Sequence, residues 1–238
     1  MESPGFDYEK QVPAGFYDQI HRRQSGVRYC WHDLKFRAVA SKLGAARRLL
    51  DIGCGPGTFI GNYAPDAEAL GIDSSAIQID YAEKHYGNDR HRFSTETLVA
   101  LRAAGRTFDA IVAIEVIEHL TEGDAFDLMT EARALLSPEG RLILTTPNYA
   151  SLWPIIEWGV NRVSDVGYEQ QHVNKYRRSR LVAQLSGAGY RDVRIETIVG
   201  FAPFTAVFGL AMARAVNSVE TAVGHLGAGN LLLALARA

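Results

Sequence analysis

Leu49-Leu50-Asp51-Ile52-Gly53-Cys54-Gly55-Pro56-Gly57-Thr58 is an apolar run that ends in an acid and then breaks into three glycines at alternate positions. Alternate glycines let a strand turn abruptly and bring bare backbone against a ligand, because no Cβ intervenes and positive φ is accessible. The stretch reads as a strand followed by a loop that holds a small molecule. The dinucleotide fingerprint carries its third glycine three positions after the second, where a pyrophosphate meets a helix N-terminus. Here that position is Thr58, which disfavours a nicotinamide oxidoreductase.

Further along, Ala69-Leu70-Gly71-Ile72-Asp73 is a short apolar strand whose acid lies 22 residues after Asp51. An acid at the end of the second strand of a βαβ unit accepts hydrogen bonds from the ribose hydroxyls of an adenosine-containing cofactor. The competing role for Asp73 is a cap on the helix that begins near Ser74 and Ser75. The third informative stretch runs Phe108-Asp109-Ala110-Ile111-Val112-Ala113-Ile114-Glu115-Val116-Ile117-Glu118-His119-Leu120, a continuous apolar strand with acids and a histidine at its carboxyl end.

These stretches resemble motifs I and IV of the class I S-adenosylmethionine (SAM) dependent methyltransferases, in the branch that includes ubiquinone-pathway O-methyltransferases. The resemblance spans roughly Leu49 to Ala236. It implies an α/β fold, a seven-stranded Rossmann-like sheet of order 3-2-1-4-5-7-6 with helices on both faces and an antiparallel last strand. It also implies SAM as cofactor and S-adenosylhomocysteine (SAH) as product. Asp51, Gly53, Cys54, Gly55 and Gly57 would cradle the amino acid end, with Glu115 beneath it. Asp73 and Ser74 would hold the ribose, and Glu96 or Thr97 the adenine, with Ser94 a weaker option.

Two histidines are candidates for chemistry, since an imidazole suits acid–base work near neutral pH. His119 either acts on the substrate or satisfies local backbone at a helix start. His172 follows the insert after the fifth strand; similar enzymes place a histidine there facing the substrate cavity, which makes it the preferred catalytic residue. Asp109, at the opposite end of its strand, reads as structural. Glu115, Glu118 and His119 form only a crowded helix start, and no Cys, His, Asp or Glu set has metal-ligand spacing, so no metal is expected.

The chain of 238 residues, 47% hydrophobic and 22% charged, suits one domain over 1–238. Within it, residues 1–48 form an N-terminal cap, 49–147 the cofactor-binding core, and 148–176 and 201–226 substrate-covering inserts. Helices are expected near 27–43, from Thr58, at 75–86, at Gly123–Leu136 with Phe126, Met129, Ala132 and Leu136 on one face, and at 178–188. Strands are expected at 69–72, 92–93, 109–114, 141–146, 193–197 and 230–236.

A net charge of −2 offers no field for nucleic acid, so none is expected as partner. Cys30 and Cys54 are the only cysteines and no secretory segment opens the chain, which points to a reducing cytoplasm. Ile198–Ala213 is uncharged but spans 16 residues with Pro203 inside, short of the roughly 20 a membrane span needs. Tyr149–Trp158 and Phe201–Val216 are apolar enough to cover a small or lipid-like acceptor or to touch a membrane surface. The expected activity is SAM-dependent O-methylation of such an acceptor by a monomer or homodimer. N- or C-methylation, or SAM binding without turnover, are the alternatives.

Overall fold

The structure, a computed structural model, describes residues 12–163 and 172–238; the first residues of the N-terminal arm and Glu169-Gln170-Gln171 lie outside it. Helices α1 (Phe16–Arg22) and α2 (Gly26–Ala40) precede β1 (Arg48–Ile52). From β1 the chain alternates through α3 (Thr58–Tyr63), β2 (Glu68–Ile72), α4 (Ala76–Tyr86), β3 (His91–Ser94), α5 (Leu98–Ala103) and β4 (Phe108–Ile114). It continues through α6 (Glu122–Ala134), β5 (Leu136–Pro147), α7 (Trp153–Val163), α8 (Arg178–Gly187), β6 (Arg191–Ile198), α9 (Leu210–Ala222) and β7 (Leu231–Arg237). Short 3-10 segments lie at Ile117–His119, Ala202–Phe208 and Gly224–Gly227.

The strands form one sheet in the order β3-β2-β1-β4-β5-β7-β6, parallel from β3 to β5, with β7 antiparallel between β5 and β6. This is the order the resemblance implied. Strand side chains divide by alternation between two cores. Leu50, Ile52, Ile111, Ala113, Leu142 and Leu144 meet α5, α6 and α8 on one face. Leu49, Ala110, Val112 and Ile143 meet α2, α3, α4, the 202–208 segment and α9 on the other. With both faces covered, β4 must be apolar at nearly every position, which is why it reads as an unbroken run.

One local expectation needs correction. Helix α6 starts at Glu122, after Thr121 caps it by accepting the Asp124 N–H at 3.2 Å, and ends at Ala134. Its buried face is Ala125, Met129 and Ala132, whereas Phe126 is 37% exposed and Leu136 has already entered β5. The 3.6-residue period favours the Ala125–Met129–Ala132 stripe, and the larger Phe126 drew the reading one position off it. The uncharged 198–213 stretch is split among the end of β6, the 3-10 segment and α9, and among the described residues no helix is long and apolar enough to cross a membrane.

Asp109 anchors the amino end of β4 to β1. Its carboxylate accepts the Arg47 and Arg48 N–H groups at 3.1 and 3.0 Å and the Arg48 guanidinium at 2.8 Å. These bonds hold the carboxyl at a pKa of about 2, below its ordinary value of 3.8. A depressed acid stabilises the fold above its unfolded pKa and loses that contribution as pH falls through the folded one. Asp109→Asn is therefore expected to cost about 1 kcal/mol at pH 7, after discounting for partial exposure, with the deficit shrinking below about pH 4. Urea unfolding of both proteins across that range checks it; a deficit that stays constant with pH would contradict this role.

Candidate active site

The loop after β1 turns on three left-handed glycines, Gly53, Gly55 and Gly57, with φ of +69°, +50° and +76°. A Cβ at Gly53 would stand 2.7 Å from Val116 Cγ2, and one at Gly57 would stand 2.8 Å from Phe93 Cε1, so both glycines permit close internal approach. A Cβ at Gly55 would meet nothing within 4 Å; it would project into open space. The Gly53 and Cys54 N–H groups donate to the Ile72 carbonyl at 2.8 and 3.1 Å, which fixes the loop against the end of β2.

Asp73, one residue past β2, accepts the Gly55 N–H at 2.9 Å on one oxygen and the Ser75 N–H at 2.9 Å on the other. The acid thus serves the helix start and the glycine loop together, while Ser74 beside it is exposed. Asp51 is 2% exposed, and burial together with the charge of Asp73 pushes its carboxyl well above the usual carboxylate range. Burial also raises Asp73 and drives the Cys54 thiol well up, which disfavours the thiolate, and Cys54 packs in the core beside Phe59 and Phe93. Two acids beside an open glycine cradle suit a ligand rich in donors, as the ammonium and ribose of SAM are.

Across the neighbouring strand, Asp73 N–H donates to the Ser94 carbonyl at 3.3 Å, which sets the end of β3 beside this cradle. Glu96 and Thr97 follow there, both exposed. Thr97 Oγ1 accepts the Ala100 N–H at 3.2 Å and caps α5; Ser94 Oγ donates to Glu96 at 3.0 Å.

The carboxyl end of β4 carries the densest chemistry. Glu115 has φ of +56°, a conformation costly for a residue with a Cβ, and its carboxylate pairs with the buried Lys35 ammonium. Glu118 is fully buried: Thr146 Oγ1 donates to its Oε2 at 3.0 Å, while Oε1 has no hydrogen-bond partner. Burial and the nearby Glu115 push its pKa up to about 7. The 172–174 segment is tied to this turn, as the Asn174 N–H donates to the Glu118 carbonyl at 3.0 Å and its amide to the Leu120 carbonyl at 2.6 Å. His172 therefore lands with its ring centroid 5.2 Å from that of His119.

His172, 8% exposed, meets Glu157 of α7 with Nδ1 and Oε1 2.5 Å apart, and Tyr149 OH donates to the same carboxylate at 2.9 Å. Glu118, His119 and His172 present ligand atoms within 4.8 Å of one another. Spacing along the chain led to the expectation of no metal-ligand set; folding assembles one from two distant segments. Lys35, Glu118 in a chemical role, Tyr149 and Glu157 were also missed. Lys35 carried a signal, because it stands four positions after Trp31 on the apolar stripe of α2.

Gly55→Ala places a methyl in the open cradle and a side chain at φ +50°. It is expected to cost about 1–2 kcal/mol of stability and to weaken SAH binding at least tenfold while the protein stays folded. Calorimetry with circular dichroism decides it; unchanged SAH affinity would show that the cradle does not face the ligand.

Comparison with known proteins agrees with this geometry. A family model described as a methyltransferase domain matches residues 19–195. The ubiquinone biosynthesis O-methyltransferase of Sinorhizobium medicae is 36% identical over 104 residues, covering 42% of this chain and 41% of that relative. The chain thus matches less than half the length of its curated relatives. A SAM-dependent methyltransferase from Archaeoglobus fulgidus superposes with a TM-score of 0.65 at 18% identity, covering 94% of this chain and all of that one. The N-methyltransferase NodS of Bradyrhizobium japonicum, solved with SAH, gives 0.59 at 18% identity, covering 93% and 97%. The chain belongs to the methyltransferase-domain family, and its fold is that of the SAM-dependent methyltransferases.

Proposed function

We propose that the protein transfers the methyl group of SAM to an oxygen of a small, apolar or lipid-linked acceptor. The observation that carries this reading is the meeting of two features at adjacent strand ends: the Asp51–Asp73 cradle with its open glycine, and the cluster of buried Glu118 and His172 with half-buried His119. Open α/β sheets bind ligands at that edge. Relatives named as ubiquinone biosynthesis O-methyltransferases support an oxygen acceptor.

Bound SAM supplies an electrophilic methyl carbon on its sulfonium. Asp51 and the glycine loop would orient its amino acid end, Asp73 its ribose, and Glu96 or Thr97 its adenine. The remaining tasks of the chain are to align the acceptor oxygen within about 3–3.5 Å of that carbon, to exclude water, and to take the hydroxyl proton. His172 takes the proton, with His119 beside it orienting the acceptor.

An apolar acceptor is supported by the surface around the cluster. Helix α7 rests on α2 through Trp153 and Trp31, with ring centroids 5.5 Å apart, and leaves Ile155 and Trp158 more than half exposed, as is Leu152 just before it. The 202–208 segment also packs on α2 and exposes Val207 and Phe208. Each buried CH₂ of a ligand tail is worth about 0.8 kcal/mol on such a surface, and the same residues fit peripheral contact with a membrane.

A second reading of the cluster is favoured by the orphaned Glu118 Oε1. Two imidazoles and a carboxylate are a ligand set for a divalent cation, which would lower the pKa of an acceptor hydroxyl bound to it. One experiment separates the two. The protein is incubated with methyl-deuterated SAM and a lipid extract, and the label is traced by mass spectrometry. Label on oxygen in the apolar fraction is expected, reduced about 100-fold by His172→Ala with SAH affinity unchanged. Labelling that survives dialysis against EDTA supports the histidine base; loss restored by Mg²⁺ or Mn²⁺ supports the cation. Label on nitrogen or carbon, or none, would overturn O-methylation.

A further inference from the structure

The base assigned to His172 needs one ring nitrogen unprotonated and aimed at the acceptor, and nothing in the imidazole itself guarantees that. A neutral histidine exchanges between two tautomers, and its partner at one nitrogen decides which is populated. Helix α7 supplies such a partner. On its inner face Trp153 and Glu157, one turn apart, both point at the His172 side: the Trp153 ring lies 6.2 Å from the imidazole and Glu157 Oε1 lies 2.5 Å from Nδ1.

Glu157 is itself held. Tyr149 OH donates to its two oxygens at 2.9 and 3.1 Å and lies 3.0 Å from His172 Nδ1. Both partners are nearly closed to solvent, with side-chain exposures of 4% for His172 and 11% for Glu157. A carboxylate accepts only, so the proton on this contact belongs to Nδ1. At such a distance in a water-poor setting the bond is strong and directional.

Resting on the reading of His172 as the residue that faces the acceptor, we propose that Glu157 is a positioning residue. It fixes His172 as the Nδ1–H tautomer, so that proton exchange with the acceptor runs through Nε2. Tyr149 supports this role by fixing the carboxylate. The logic is that of the acid behind the histidine in a hydrolase triad, where the acid orients the ring and keeps its tautomer without accepting the proton. Its consequence is that α7, which exposes Ile155 and Trp158, also sets the state of the base. The cover and the chemistry thus share one helix.

The test reads the tautomer directly and does not depend on finding the acceptor. Protein labelled with ¹⁵N-histidine and dialysed against EDTA is examined at pH 8 by long-range ¹H–¹⁵N correlation, with His172→Ala identifying the His172 signals. The expected result is Nδ1 protonated and Nε2 unprotonated at His172. Glu157→Gln is expected to shift the ring toward the Nε2–H form by at least tenfold in tautomer ratio while SAH affinity stays within twofold. Tyr149→Phe should give a smaller shift in the same direction. A proton on Nε2 in the unaltered protein, in a neutral or a charged ring, would overturn the proposal whether or not any variant folds. So would a Glu157→Gln spectrum unchanged at His172. Either failure leaves methyl transfer itself standing, because the labelling experiment measures that separately.

Discussion

The pairing of β1 with β4 is the constraint on which the site depends. Leu49 to Ile52 lie in parallel register with Ala110 to Ala113, so both strands end at the same height. The glycine loop and the Glu115–His119 turn must then emerge side by side, and they can do so only because Gly53 lacks the Cβ that would collide with Val116. From this one contact follow the cradle on the β2 side and the acid–histidine cluster on the β5 side. Asp109 fastens the opposite end of the same pair and keeps the register.

What these strand ends hold is costly to fold. Asp51 and Glu118 are buried carboxyls, and burying an ionised group without full compensation costs several kcal/mol. Glu118 receives a single side-chain hydrogen bond, from Thr146, and Glu115 sits in a left-handed conformation foreign to its type. Such departures from local preference are tolerated where the surrounding sheet over-determines them, and they gather at sites that act. Asp18 is the contrasting case: fully buried between α1, α3 and α4, its carboxylate accepts bonds from Tyr81, Tyr86, Thr58 and Arg22.

The cradle was legible in the sequence because it is local. Its glycines, Asp51 and Asp73 are held within one βαβ unit, where spacing along the chain is spacing in the fold. The strand order was legible only through the resemblance, since no pattern in one sequence states where β7 inserts. The cluster around Glu118 was not legible as a unit, because His172 lies 53 residues after His119, beyond α6, β5 and α7, and no spacing along the chain joins the two. Glu157 and Tyr149 were hidden inside a stretch read for its apolar residues alone; helical spacing puts Trp153 and Glu157 on one face and Leu152, Ile155 and Trp158 on the other. Phe126 shows the opposite error, a large apolar side chain counted as core when the smaller Ala125 faces inward.

The most direct measurement of the central claim, that the β1–β2 strand ends form a cofactor cradle, is SAH binding by calorimetry to the unaltered chain and to Asp73→Asn. The amide keeps the size of the side chain but loses the charge that would hold two ribose hydroxyls. Loss of charge-assisted hydrogen bonds worth about 1.5–3 kcal/mol weakens binding by roughly 10- to 100-fold, with circular dichroism unchanged. Equal affinity for both proteins, or no SAH binding by the unaltered chain, would contradict the account.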